Sequence, residues 1–270
     1  MEPFVLYSKN HPYLHLAQWE STFPHLVVGM STRTEENRNY ALHVGNDPEQ
    51  VITNRQGLAK SLSFPFESWT CGEQVHQDHI ELVTSADRGK GRETRDSAFA
   101  CTDGLITDES DILLASFYAD CVPLFFYSPD LDMIGVAHAG WKGTAANIGV
   151  SMIKKFLKLG ADKKQILAAI GPSIGNCCYE VDDRVMEPLY QLLPKAFEES
   201  IFIPTTQGHY RLDLKKANQH LLLSIGLAHE QILVSNRCTQ CEETLFFSHR
   251  REAANAGRMV AFIGKKRSKE

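Results

Sequence analysis

Residues 119–143 read ADCVPLFFYSPDLDMIGVAHAGWKG, and the rest of the chain is organised around them. Two apolar runs, 122–127 and 133–137, have the character of strands and are joined by a Ser-Pro-Asp turn. In that turn Pro129 presets φ for position i+1 and Asp130 tolerates i+2. With the turn centred between Pro129 and Asp130, paired residues sum to 259, which makes Cys121 and His138 direct cross-strand partners. Their Cβ atoms would then lie roughly 5 Å apart on one face. A thiolate and an imidazole at that separation can share one small ion. A slip of one residue would send the two side chains to opposite faces.

Upstream of this hairpin, YLHLAQW and HLVVGMS within residues 13–31 read as an opening hairpin or two early strands, and the polar stretch 31–46 as an exposed loop. Asp47 caps a helix whose first residue is Pro48 and which turns Val51, Leu58 and Leu62 toward one face. Residues 67–84 suggest one strand ending near His76 and another starting near Ile80, and the polar segment 85–101 has the composition of a mobile surface loop. GLIT and ILLASFYA supply two more strands before the hairpin. Downstream, Thr144 is the expected N-cap of a helix closed by Gly160, ILAAIG is a buried strand, and helices follow over 183–197 and from Asp213 to Gly226. QILVS and MVAFIG are the last strands. Strands and helices alternate irregularly, which predicts an α+β fold with a mixed β-sheet core flanked by helices. With no repeat, low-complexity segment or linker, residues 1–270 are expected to form a single domain.

A chain of 270 residues buries enough surface to need no staple. Its net charge of −5, with basic and acidic residues interspersed and a basic cluster only in the tail GKKRSKE, lacks the footprint of a nucleic-acid binder. No apolar run reaches the length of a membrane span, and the first residues lack a secretory pattern, so a cytoplasmic location is expected. Seven cysteines, an odd number, then argue for reduced thiols. Adjacent Cys177 and Cys178 read as buried packing, and Cys238 and Cys241 as a lone CxxC without a second pair at ribbon spacing. No GxGxxG or Walker A sequence is present.

A third ligand for the Cys121 and His138 pair is found in EQVHQDH, where His76 is the candidate and His79 would face away if the segment were a strand. Two imidazoles and one thiolate form a borderline-soft set that suits zinc and leaves a fourth position for water or substrate. The alternative is that each is a satisfied core residue. Asp120 could orient a ligand or act as general base. In AGWKG after His138, two glycines let the backbone approach a bound group while Lys142 brings a cation. Arginines in polar loops, among them Arg33, Arg38, Arg237, Arg250, Arg251 and Arg258, either solvate the surface or build an anion pocket.

Together QVH at 74–76, TDGLIT at 102–107, ADCVPL at 119–124, HAGWKG at 138–143, GPSIGNCCYEV at 171–181 and NRCTQC with SHRR near the C-terminus resemble the laccase-domain family, whose members are also described as polyphenol oxidases or purine nucleoside phosphorylases. The resemblance covers nearly the whole chain. Lys142 departs from it, standing where the family pattern has Arg, which keeps the charge and loses bidentate geometry. The resemblance implies a single α+β catalytic domain with zinc on His76, Cys121 and His138. It also implies phosphorolysis of adenosine, inosine and S-methyl-5′-thioadenosine, together with adenosine deamination. Cys121, Asp120 and His138 are then the candidate catalytic residues, and Arg33, Lys142 and Arg250 the candidates for substrate and phosphate. A copper-dependent phenol oxidase is the second reading, although the 11 histidines include no HxH pair to house several coppers; one copper in the same site remains chemically reasonable. A cysteine hydrolase, with Cys121 as nucleophile and His138 as base, is the third.

Overall fold

Strands that are apolar on both faces need a covering layer on each side. The segments Leu113–Tyr118, Val122–Ser128, Met133–Ala139 and Met259–Lys265 are buried at every position. The computed structural model, which describes residues 1–7, 13–33, 38–45, 47–193 and 198–267, supplies those layers by packing two mixed sheets together and helices outside them. The first sheet runs, in spatial order, β1 (Phe4–Leu6), β2 (Tyr13–Leu16), β3 (Leu26–Ser31), β15 (Met259–Lys265), β7 (Leu113–Tyr118) and β4 (Trp69–Cys71). The second runs β14 (Ile232–Val234), β10 (Leu167–Ile170), β8 (Val122–Ser128), β9 (Met133–Ala139), β6 (Gly104–Thr107) and β5 (Ile80–Leu82). A smaller sheet joins β11 (Glu180–Asp182), β13 (His209–Leu212) and β12 (Phe202–Pro204).

Side chains alternate along each strand. Leu114, Tyr118, Ala261 and Ile263 of the first sheet meet Phe125, Tyr127, Ile134 and Val136 of the second in one core. The alternate residues Val122, Leu124, Phe126 and Ala137 pack under α4 (Ile148–Lys158) and α7 (Leu214–Ser224). On the far side Leu113, Ala115, Phe117 and Phe262 pack under α2 (Pro48–Ser61). The α+β expectation with a mixed sheet flanked by helices holds, with two sheets back to back as its core. Among the described residues no helix is long and apolar enough to cross a membrane.

Local signals fared unequally. Asp47 and Asp213 cap their helices as expected, accepting from the backbone amides of Gln50 and Lys216 at 3.0 Å. Thr144 is not a cap: it sits inside a short helix, α3 (Trp141–Ala145), where its buried hydroxyl accepts from Asn218. Asn147, at φ 66°, then breaks the chain and α4 starts after it. The helix expected over 183–197 is seen as α5 (Asp183–Tyr190), and residues 194–197 lie outside the described residues, as do 34–37 and 46 of the polar loop and 268–270 of the basic tail. The polar segment 85–101 is tied down rather than loose, because the buried Arg55 guanidinium of α2 donates to the Gly91 and Arg92 carbonyls at 2.9 and 2.8 Å.

The hairpin at the centre is offset from the expected register. Val122 pairs with Ala139 and Ser128 with Met133, so partners sum to 261 and Pro123, not Cys121, lies opposite His138. The reason is the turn, which takes four residues, 129–132, instead of two. The Asp130 carboxylate accepts the Ser128 hydroxyl and the Asp162 amide, and Asp132, at φ 46°, reaches the ammonium of Lys265 at 2.9 Å. The shift is by two residues, so the side chains keep their face. Cys121 and His138 become diagonal neighbours on the surface that meets the first sheet.

Lys265 is buried and the Asp132 carboxylate is its ion-pair partner, with His25 and Tyr127 also bonded to that carboxylate at 3.0 Å. Burial pushes the Asp132 carboxyl up, but Lys265, His25 and Tyr127 outweigh it and hold it below the ordinary aspartate value. A carboxyl so lowered adds stability that is present at neutral pH and lost as the pH falls through its depressed pKa. Asp132→Asn should therefore cost about 1–2 kcal/mol in urea unfolding at neutral pH, a value reduced by the exposure of Asp132. The difference from wild type should shrink in acid; a constant difference from pH 7 to pH 3 would refute the assignment.

A candidate metal centre and its pocket

Three segments converge where β8 begins and β9 ends. The ligand atoms of His76, Cys121 and His138 all lie within 4.8 Å of one another. The imidazoles of His76 and His138 meet edge to face, their centroids 4.7 Å apart. Gly140 closes the group: a Cβ there would stand 2.9 Å from the Cys121 Sγ and 3.1 Å from His76 Cδ2.

His76 is not at the end of a strand, because β4 stops at Cys71. The Gln74 side chain continues the pairing in place of backbone, donating to the Phe117 carbonyl at 2.9 Å and accepting from the Phe117 amide at 2.7 Å. After it the chain turns sharply, with His76 at φ 63°. The amides of Val75, His76 and Gln77 all donate to the carboxylate of Asp103, at 3.0, 3.0 and 2.9 Å. His79 is left exposed beside Glu81, outside the cluster.

Asp103 also holds the second histidine. Its carbonyl accepts the His138 amide at 2.8 Å, and its carboxylate meets His138 Nδ1 at 2.8 Å, both side chains being buried. With Nδ1 committed to a carboxylate, Nε2 is the nitrogen left for an ion, the usual arrangement behind a metal-binding histidine. Burial alone would push the Asp103 carboxyl up, but His138 and the turn amides outweigh it and lower it. Burial likewise opposes ionisation of the Cys121 thiol, yet the His138 and His76 imidazoles bring it down to about 6. His138 rises to about 9 against its own burial, drawn up by Cys121 and Asp103. The two shifts share one cause, the attraction of a Cys121 thiolate and a His138 imidazolium for each other.

Asp120, next to Cys121, also has a left-handed backbone, at φ 84°. Its carboxylate accepts Thr239 Oγ1 at 2.6 Å, Ser248 Oγ at 3.0 Å and the Arg250 amide at 2.7 Å, while its carbonyl accepts the Ile174 amide at 3.0 Å. One residue thus gathers three loops around a cavity of about 330 Å³. His76, Cys121, Trp141, Lys142, Tyr179, His249 and Arg250 line it, with Ile174 and Leu214 among its apolar members. The Arg250 guanidinium lies 5.2 Å over the Tyr179 ring and donates to the Glu180 carbonyl at 2.9 Å. Of the residues expected at the site, His76, Asp120, Cys121, His138, Lys142 and Arg250 come together. Arg33 does not: it pairs with Glu252, stacks 5.0 Å over Phe247 and lines a different cavity.

Asp103, Gln74 and His249 stand in the quoted motifs but had been given no role. Only their contacts reveal one, although an aspartate directly before a buried strand is a usable signal. The cysteines differ from expectation too. Cys177 is exposed and Cys178 half-buried, so neither is core packing, and both lie beside Cys238 and Cys241.

Residues 22–266 match the family model described as multi-copper polyphenol oxidoreductase laccase. The chain is 48% identical over 229 residues to a protein named purine nucleoside phosphorylase YlmD of Geobacillus stearothermophilus, covering 84% of this chain and 83% of that one. It is 44% identical over 239 residues to the protein of that name from Bacillus subtilis, covering 88% and 85%. Among solved structures, YlmD from Geobacillus stearothermophilus superposes with a TM-score of 0.93 at 42% identity, covering 99% of this chain and all of that one. The hypothetical protein YfiH of Bacillus licheniformis gives the same score at 40% identity, covering 98% and 100%.

Proposed function

This chain belongs to the family described as multi-copper polyphenol oxidoreductase laccase, and from that premise we propose that it is a zinc-dependent purine nucleoside phosphorylase. The names of its relatives supply the substrate class. The observation that carries the reading is the meeting of a His-His-Cys ligand set with an aromatic and cationic cavity. Adenosine, inosine and S-methyl-5′-thioadenosine are the proposed nucleosides, with adenosine deamination as an accompanying activity.

The donor set fits zinc: borderline-soft ligands, one of them backed by the Asp103 carboxylate, and a side open to the cavity. His76, the Cys121 thiolate and His138 Nε2 would hold the ion. When bound, it supplies Lewis-acid polarisation of a ligand oxygen. Trp141 and Tyr179 offer faces for a purine, and Lys142 and Arg250 offer charge for phosphate. In phosphorolysis a phosphate oxygen bonds to the anomeric carbon as the glycosidic bond breaks, and the leaving base takes a proton. His249 lines the cavity with Nδ1 against the Ala253 carbonyl, which leaves Nε2 to handle that proton. Asp120 is better suited to positioning than to proton transfer, since three donors already occupy its carboxylate.

Incubation with adenosine and phosphate, with products separated by chromatography, tests the reading. Adenine with ribose 1-phosphate supports phosphorolysis, inosine supports the deaminase branch, and unchanged adenosine overturns both. Arg250→Ala should raise KM for phosphate by about tenfold or more, the loss expected of one charged hydrogen bond, with Arg250→Lys partly restoring it. An unchanged KM would remove Arg250 from the phosphate site.

The thiolate and imidazolium character of Cys121 and His138 favours one second reading, a cysteine hydrolase. Iodoacetamide labelling of Cys121 in zinc-loaded protein would support it, and protection by zinc would argue for ligation. A multi-copper oxidase has less behind it. The other metal-type cluster among the described residues is made of thiols, not imidazoles.

A further inference from the structure

β10 and β14 are parallel neighbours, so the loops that follow them leave the sheet at the same end. The first loop carries Cys177 and Cys178, and the second carries Cys238 and Cys241. They are stitched together by a bridge between Ser173 and Cys238 and by the Thr239 amide donating to the Ser173 carbonyl at 3.0 Å. All four Sγ atoms fall within 4.8 Å of one another, with Cys177 to Cys241 at 3.6 Å and Cys178 to Cys241 at 3.3 Å. Around one tetrahedral ion with bonds of about 2.3 Å to sulfur, neighbouring sulfurs stand about 3.8 Å apart. The cluster has that size. Four neutral thiols gain little from such crowding.

We propose that Cys177, Cys178, Cys238 and Cys241 form a second, structural zinc site, separate from the cluster at Cys121 and offering no position to substrate. Four thiolates complete a tetrahedron and leave no position for substrate, which is the mark of a structural site. Two surroundings of the cluster agree with it. The Gly175 amide donates to the Cys238 Sγ at 3.2 Å, the kind of outer contact that steadies a ligating sulfur. Lys215, buried and in no ion pair among the described residues, lines the same cavity as Cys177 and Cys238. Its ammonium donates to the Arg237 carbonyl. Binding releases the thiol protons and leaves a centre of net charge about −2, for which Lys215 supplies a counter-charge.

The ion would brace one wall of the cavity. Tyr179 follows Cys178 directly, and Thr239, between the other two ligands, donates to Asp120. Loss of this zinc should therefore loosen Tyr179 and Arg250 without touching His76, Cys121 or His138.

Metal analysis of the purified full-length protein by mass spectrometry is the test, with Cys241→Ser as the main variant because Cys241 is exposed and its replacement disturbs little packing. Wild type should carry about two zinc ions per chain, Cys241→Ser about one, Cys121→Ala about one and the double variant none. Cobalt-loaded Cys121→Ala should keep a strong thiolate-to-cobalt absorption that Cys241→Ser largely loses. Cys241→Ser should also unfold at lower temperature. A wild-type zinc count in Cys241→Ser overturns the proposal, as does wild-type protein with one zinc and the four sulfurs recovered as disulfides. The Cys121→Ala arm keeps this outcome apart from any failure of the nucleoside reading.

Discussion

In the Asp103→Ala protein the free energy of unfolding is expected to fall by about 3–5 kcal/mol, and zinc affinity at the His76, Cys121 and His138 cluster by at least about tenfold to a hundredfold. The magnitude follows from what the carboxylate holds. Three backbone amides of the turn at residues 75–77 and the His138 ring share it. An unsatisfied buried donor costs about 1–3 kcal/mol, and four donors that relax together cost less than their sum. Among the described residues the amides of Val75, His76 and Gln77 bond to Asp103 alone, and His76 is held at φ 63°, a conformation that favours glycine, so ligand geometry and local stability fail together. Asp103→Asn separates the effects. It keeps the shape and one acceptor oxygen but loses the charge behind His138 and leaves part of the donor set unpaired, so it should lose less stability than Asp103→Ala yet still bind zinc more weakly. Urea unfolding and a competition titration with a chelator measure the two quantities. Wild-type behaviour in Asp103→Ala would mean that the turn is held by something else.

Cys121→Ala should abolish turnover of adenosine by three orders of magnitude or more if the zinc reading is right, while leaving the fold in place. Removing one of three ligands destroys the site, whereas the packing loss is small: Cys121 is only partly buried and sits at the mouth of the strand pair. The stability cost should stay near about 1 kcal/mol. Circular dichroism and calorimetry check the fold, and steady-state assays with adenosine and phosphate check the activity. Near-normal turnover would sink both the zinc enzyme and the cysteine hydrolase. A large loss that zinc cannot rescue, with other cysteines unmodified, is the expected result.

What could be read in the sequence depended on how local the determinant was. Asp47 and Asp213 cap helices through bonds to residues three positions on, and their sequence signals were sufficient. Strand identity in 122–127 and 133–137 was equally plain, because every position there is apolar or glycine and buried. The exact register was not, since the turn at 129–132 is set by Lys265, more than a hundred residues away. Cys121 and His138 still meet because a two-residue shift preserves the facing of a strand. Asp103 was not found. Its role lies in bonds to amides, which have no sequence of their own. The four-cysteine cluster was missed for a similar reason: the parallel pairing of β10 with β14 brings the loops together, and spacing along the chain gives no hint of it.

The position of β15 has a consequence for how the molecule is made. This strand is hydrogen-bonded to β3 on one side and β7 on the other, so it is the middle of the first sheet although it is the last strand described. During synthesis the earlier strands must wait with two apolar edges open until residues 259–265 leave the ribosome, a span in which a chaperone has most to protect. Completion of the sheet therefore waits for residues 259–265: a nascent chain stalled before residue 259 should be sensitive to protease, and one in which these residues have emerged should resist it.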